Sequence, residues 1–169
     1  MNIELSGNFC FSEGPWLTWS DLRFGMSRAY ISAEGVVEFA MDSLTTGSDE
    51  SHFALAGMRG ANRWDVDGVL EKLESFAEPD LEDCKAHWWY LLLLWVYKNR
   101  SIYDDPLSIV EEIYAEFEYP ERMASIIRYM PSDSNYAGGQ EKLMENWRSL
   151  LEAVAESFVA RGRRPPRFE

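Results

Sequence analysis

The chain has 169 residues, of which 16 are basic and 29 acidic, so its formal net charge is −13. A chain of this length forms about one domain and buries about two thirds of its unfolded surface, so its fold requires neither a disulfide nor a metal. The negative charge repels phosphate, and we therefore expect no direct nucleic-acid partner. Cys10 and Cys84 lie far apart in the sequence and are expected to be buried thiols in a reducing compartment.

Neither a targeting segment nor a membrane span is visible in the sequence. The first residues lack a basic region followed by an apolar run, which a signal peptide requires. The longest apolar stretch, between Trp88 and Tyr97, is too short to cross a bilayer at about 1.5 Å per residue. We expect a cytoplasmic protein with no membrane partner.

The first thirty residues predict an extended segment and one short helix. Apolar residues alternate with polar ones between Ile3 and Phe11, which favours an extended conformation. Ser20 is predicted as the N-cap of the helix, and Gly25 is predicted to end it.

Three further helices are predicted before residue 80. Ser32 is the expected N-cap of the first, and Gly47 follows its apolar stripe as a stop. The second covers residues 49–57, and the third covers residues 64–77. The third has apolar residues at helical spacing on one side, and on its other face it carries Asp67, Glu71 and Glu74.

The second half of the chain predicts longer helices. A helix over residues 80–100 is apolar all round between Trp88 and Tyr97, which is typical of the central helix of a bundle. Asp105 and Pro106 are expected to begin the next helix. Two more are predicted over residues 121–130 and 140–160, and they are separated by a flexible loop over 132–139.

These elements predict an all-α fold. We expect a single domain of seven or eight helices over residues 1–160, built around the central apolar helix. An irregular array of stacked helix pairs is an alternative arrangement. Residues 161–169 carry four arginines and one acid and are expected to form a basic, flexible tail.

The polar residues form no complete catalytic or metal-binding pattern. Asp83, Cys84 and His87 lie within about one helical turn of each other, but a zinc site needs three or four ligands. We therefore predict that His87 donates a hydrogen bond to Asp83 in a structural role. No phosphate-binding glycine loop or serine elbow is present. The sequence predicts no cofactor, no metal and no catalytic residue.

The negative charge is concentrated in one part of the chain. Between Asp65 and Glu118 there are 14 acids and four bases, which gives a local net charge of −10. An acidic surface attracts basic proteins and raises the rate of association with them. We therefore predict a protein-binding module with a basic protein partner.

Three segments of the chain resemble a known family. The segments are Leu17-Thr18-Trp19-Ser20-Asp21-Leu22-Arg23-Phe24-Gly25 with the stretch that follows it to Ala40, then Leu94-Trp95-Val96-Tyr97-Lys98-Asn99-Arg100 with Tyr103 to Leu107, and residues 110–131. Together they resemble a bacterial domain-of-unknown-function family whose members occur among predicted immunity proteins of polymorphic toxin systems. None of these motifs is catalytic.

The resemblance implies a protein that neutralises a cognate toxin by binding it directly. Many such toxins are basic nucleases, and an acidic inhibitor could occupy the cleft that holds their phosphate backbone. The residues predicted to contact the toxin are the acids of the negative segment that lie on predicted helix faces or caps. They are Asp104, Asp105, Glu111, Glu112, Glu116 and Glu118, followed by Asp67, Glu71 and Glu74.

Two other classes of function remain open at this point. An enzyme could assemble its site from distant residues, for example His87, Asp83 and an arginine. A general adaptor or self-assembling protein would instead present a large exposed apolar patch. The sequence does not determine the oligomeric state.

Overall fold

The computed structural model describes residues 2–74, 80–129 and 139–160, and within these ranges the chain is helical. The α-helices, in chain order, are α1 (Gly7–Glu13), α2 (Trp19–Ser27), α3 (Ala33–Ser43), α4 (Glu50–Ala56), α5 (Arg63–Leu73), α6 (Leu81–Lys98), α7 (Pro106–Glu116) and α8 (Gly139–Ala160). Two short 3₁₀ helices cover Arg100–Ile102 and Glu121–Ile126. The predicted all-α class is confirmed.

The central helix of the fold is α6, as the sequence predicts. From Trp88 to Leu94 every side chain is buried, because α2, α7 and α8 pack on different sides of this helix. A helix that is apolar on all sides stabilises the fold only when neighbouring elements surround it and remove its surface from water. Asp80 caps its N-terminus by accepting hydrogen bonds from the backbone N–H groups of Glu82 and Asp83.

The beginning of α2 and the role of Gly25 differ from the prediction. Thr18 is the N-cap, since its hydroxyl accepts from the Asp21 backbone N–H and its own N–H donates to the Asp21 carboxylate at 2.7 Å. This reciprocal capping box needs an acid three residues after the cap, and Ser20 has Arg23 at that position. Gly25 lies inside the helix, which continues to Ser27.

The N-terminal segment is also mostly helical, so the predicted extended stretch is wrong beyond Leu5. Leu5 forms an isolated parallel bridge with Ile31. Ser6 then caps α1 by accepting from the Phe9 backbone N–H. Because α1 packs closely on α3, a Cβ at Gly7 would lie 2.0 Å from the Gly35 carbonyl oxygen. That close helix–helix packing outweighs the local alternation of apolar residues.

The remaining predicted elements agree in type and differ at their ends. The helices expected over 49–57, 64–77 and 140–160 correspond to α4, α5 and α8. The helix expected over 121–130 is a 3₁₀ helix that ends at Ile126. The flexible loop, the basic tail and the end of the 64–77 helix lie outside the described residues.

None of the helices described combines the length and apolarity needed to cross a bilayer.

Candidate functional site

The cap of α7 also takes part in an ion pair. Asp105 Oδ1 accepts from the Ser108 backbone N–H, and its Oδ2 accepts from Arg128 Nη1 at 2.8 Å. The same guanidinium makes a bidentate pair with Glu111, at 2.8 Å from Nε and 2.9 Å from Nη2. Arg128 therefore ties the start of α7 to the chain after the second 3₁₀ helix. Two of the acids predicted to contact a toxin are thus paired within the protein.

This ion pair can be tested by titration. The Arg128 guanidinium donates to Asp105 and holds the pKa of that carboxyl below its usual range. We expect Arg128→Gln to raise the pKa of Asp105 toward the ordinary aspartate value, measured by NMR titration of the side-chain carboxyls. The matched control is Arg148→Gln, which removes the partner of Glu152 on α8 and should leave Asp105 unchanged. An unshifted Asp105 in the Arg128 variant would contradict the pairing.

The acids of α5 are held in a similar way. Arg23 on α2 donates from Nε to Asp67 at 2.9 Å and from Nη1 to Glu74 at 2.8 Å. These two contacts hold α2 against α5, and they join residues that are 44 and 51 positions apart in the sequence. The third acid of this group, Glu71, has an exposed side chain. The predicted acidic face of α5 therefore serves in part to hold two helices together.

The other predicted acids lie around the end of α7. Glu116 accepts a hydrogen bond from the Tyr30 hydroxyl at 3.0 Å, and burial together with this bond raises the pKa of Tyr30. Glu118 accepts from Lys85 on α6, which lowers the pKa of Glu118. Asp104 and Glu112 are exposed to solvent.

Two exposed tyrosines lie beside these acids, and the sequence did not single them out. Tyr119 is 61% exposed and Tyr129 is 62% exposed. The ring of buried Tyr114 contacts both, with centroid distances of 5.2 Å to Tyr119 and 6.5 Å to Tyr129. We call Tyr114, Tyr119 and Tyr129 the tyrosine cluster. Aromatic residues at helical spacing usually predict core, so their exposure was not expected.

A strained turn positions Tyr119. Glu118 and Tyr119 have φ angles of 62° and 63°, a left-handed conformation that costs about 1–2 kcal/mol per non-glycine residue. The turn is held by the hydrogen bond from Tyr119 N–H to the Tyr114 carbonyl at 2.9 Å and by the Glu118–Lys85 ion pair. Backbone strain of this kind is concentrated at functional sites, which directs attention to this turn.

Next to the turn lies a groove of about 320 Å³ between α6 and the chain that follows α7. Its floor is apolar and consists of Ala86, Trp89, Phe117 and Pro120. Its rim is charged and consists of Glu82, Lys85, Glu118, Glu121 and Arg122. Tyr119 lies in the chain between Glu118 and Pro120 of the groove lining, so it is adjacent to the groove.

His87 belongs to a buried polar cluster between α2 and α6. Its Nδ1–H donates to Asp21 Oδ1 at 2.8 Å, whereas the sequence predicted Asp83 as its acceptor. Trp16 and Phe158 cover the imidazole, with centroid distances of 4.7 and 5.2 Å. Asp21 was not identified from the sequence, because it lies 66 residues away on another helix.

This cluster does not have the properties of an active site. His87 and Asp21 are each 1% exposed, so a substrate cannot reach the pair in this conformation. Burial raises the pKa of the Cys84 thiol, and so do the nearby carboxylates, so the thiol stays protonated and is a poor nucleophile. Within residues 2–74, 80–129 and 139–160, no group of three or more His, Cys, Asp or Glu side chains could hold a metal ion.

The fold and surface thus define an all-α protein with an acidic, aromatic face at the junction of α6 and α7. The model of a family described as "Uncharacterized protein conserved in bacteria (DUF2247)" matches residues 8–155, and the chain belongs to this family. The match includes the turn at Tyr119 and all residues that line the groove. No curated protein and no solved structure matches the chain.

Proposed function

We propose that this protein is an acidic binding module that neutralises a cognate toxin by direct contact, as immunity proteins of polymorphic toxin systems do. The observation that supports it most is the pair of exposed tyrosines beside residues 111–121, which include five acids and no base. Tyrosine is enriched at binding hot spots because it offers a large, rigid contact area at low entropic cost. The resemblance of three sequence segments to a bacterial family whose members occur among predicted immunity proteins supports the same proposal.

The charge distribution supports a basic partner. Arg128 and Lys85 each contact two acids, so each of these groups of three side chains keeps one negative charge. Such a surface raises the association rate with a positively charged protein, and salt weakens the effect. A toxin that binds phosphate backbones has the complementary charge.

The direct test is to identify any toxin-like protein encoded beside this gene and to use it in a survival assay; a neighbourhood without a toxic protein would contradict the proposal. We expect cells that express the toxin domain to survive when this chain is co-expressed and to die without it. Death of both cultures would show that the chain is not the immunity protein for that toxin.

Surface charge provides a second readout with a matched control. Reversing two exposed acids by Glu112→Lys and Glu121→Lys should slow association with the purified toxin domain about tenfold at low salt, and much less at high salt. The control is the double variant Asp42→Lys and Glu50→Lys, which reverses two exposed acids on α3 and α4 and changes the net charge by the same amount. Stopped-flow measurements of the association rate at several salt concentrations would distinguish the test variant from the control. Equal association rates for the test and control variants would show that Glu112 and Glu121 lie outside the interface.

The adaptor alternative also has one specific observation in its favour. Trp64 on α5 is 80% exposed, and Phe53 on α4 is 55% exposed. An adaptor that uses these residues would lose its partner on Trp64→Ala, whereas the proposed toxin interface would be unaffected. The same variant therefore distinguishes the two functions.

A further inference from the structure

The groove beside Tyr119 combines an apolar floor with carboxylates on its rim. Trp89 and Phe117 contribute aromatic surface to the floor, and both are largely buried, so the floor is rigid. Glu82, Glu118 and Glu121 contribute rim carboxylates. A long side chain with an apolar stem and a charged head matches this arrangement, because its stem can lie on the floor while its head reaches the rim.

The sign of the rim charge favours a cationic head. Three carboxylates face two cations, Lys85 and Arg122. Lys85 is engaged by both Glu82 and Glu118, so its charge is already compensated. The neighbouring residues Glu112 and Glu116 add two more acids, whereas Glu111 is paired with Arg128. An anionic group would therefore meet net repulsion, whereas lysine or arginine would meet net attraction.

Tyr119 and Tyr129 complete the surface for such a cation. Both rings are exposed, and aromatic faces attract guanidinium and ammonium groups. The left-handed turn and the contact with Tyr114 hold Tyr119 in place before any partner binds. A site that is ordered in advance loses less entropy on binding, which improves affinity.

We infer that the groove and the tyrosine cluster form the docking site for a lysine- or arginine-bearing segment of a protein partner. The inference rests on the proposed function and gives it a location and a chemistry. One basic side chain lies in the groove between α6 and the turn, and the tyrosines contact the residues next to it.

A short arginine-rich peptide is a suitable probe, with a glutamate-rich peptide of equal length as its charge control. We expect the arginine-rich peptide to shift the backbone NMR signals of residues 82–89 and 114–122, and the glutamate-rich peptide to shift none of them. Tyr119→Ala should weaken binding about tenfold or more, the size of effect expected for a hot-spot aromatic residue. Signals that move only on α3, α4 or α5 would overturn the inference.

Three variants make the test specific. Trp64→Ala removes an aromatic residue on α5 that is even more exposed than Tyr119, and it should leave the affinity unchanged. Arg122→Ala removes a rim cation and should strengthen binding, whereas Glu121→Ala should weaken it, each by up to about fivefold. If Arg122→Ala weakens binding, or Trp64→Ala weakens it as much as Tyr119→Ala does, the assigned site is wrong.

The two proposals can fail separately. Survival in the presence of a toxin combined with an unaffected Tyr119→Ala variant would overturn the docking site and leave the immunity function intact. Peptide binding at the groove without protection against the neighbouring toxin would overturn the immunity function and leave the docking site.

Discussion

Asp21→Ala is expected to lower the free energy of unfolding by about 3–5 kcal/mol, the cost of removing one partner from a buried hydrogen-bonded pair. The Asp21 carboxylate accepts from His87 Nδ1, from the Thr18 backbone N–H and from the Thr18 hydroxyl, at 2.7–2.8 Å. Truncation leaves the His87 N–H inside the core without this acceptor, and it also removes the capping box of α2. Urea unfolding monitored by circular dichroism would measure the loss.

An exposed pair of the same kind provides the matched control. At the start of α4, Asp49 and His52 form a capping box with an Asp–His contact of 2.7 Å, but this pair lies at the surface. Asp49→Ala should therefore cost much less than Asp21→Ala, because water can replace the lost contacts. Equal losses would show that burial of the Asp21–His87 pair is not what makes it important.

The pH dependence of stability should reveal the same carboxylate. Burial opposes ionisation of Asp21, but the hydrogen bonds and charge of His87 and the hydrogen bonds from Thr18 outweigh it, so its pKa lies below the usual range. A lowered folded-state pKa stabilises the fold above the unfolded-state pKa of about 4, and this contribution is lost as the pH falls through the folded-state value. The wild-type protein should lose that stability below about pH 4, and Asp21→Asn should not.

Gly25→Ala is expected to destabilise the fold by about 3 kcal/mol or more, although alanine is the better helix former. A Cβ at this position would lie 2.0 Å from Trp88 Cζ2 and 2.3 Å from Cε2. Trp88 cannot move aside easily, because it is fully buried and its Nε1–H donates to the Asp21 carbonyl at 2.7 Å. The new methyl group would therefore push α2 away from α6. Chemical denaturation would measure the effect.

Two further variants separate overpacking from helix propensity. Gly68 lies inside α5 with no atom within 4 Å of a built Cβ, so Gly68→Ala should stabilise the protein by about 0.5–1 kcal/mol. Trp88→Leu provides room for the Gly25→Ala methyl group, so the double variant should lose less stability than the sum of the single variants. Strict additivity would contradict the contact between the two residues.

Local rules predicted most of the helices. The caps at Ser32, Asp49 and Asp105 are set by side chains that bond backbone N–H groups three residues away, and such contacts can be read directly from the sequence. The place of α6 at the centre was also predictable, because a helix without a polar face must be surrounded. The predicted cap Ser20 was wrong, because Thr18 has an acid three residues later, at position 21, that completes a capping box.

The candidate site was predicted only in part. The acidic residues of α5 and α7 were identified from composition, but Arg23 and Arg128 pair with several of them from 17 to 51 residues away. Such pairings depend on which helices pack together, and a charge count does not contain that information. Tyr119 and Tyr129 were missed because aromatic residues are normally assigned to the core.

The sequence by itself determined the all-α class, the central helix and the negative charge, since these follow from periodicity, apolar content and composition. The tertiary structure alone decided that Gly25 permits close contact with Trp88, that His87 pairs with Asp21, and that a left-handed turn exposes Tyr119 beside an acidic groove. Each of these features joins residues that are distant in the chain or requires a backbone conformation that local preferences disfavour. Their physical basis is the packing of helices against each other.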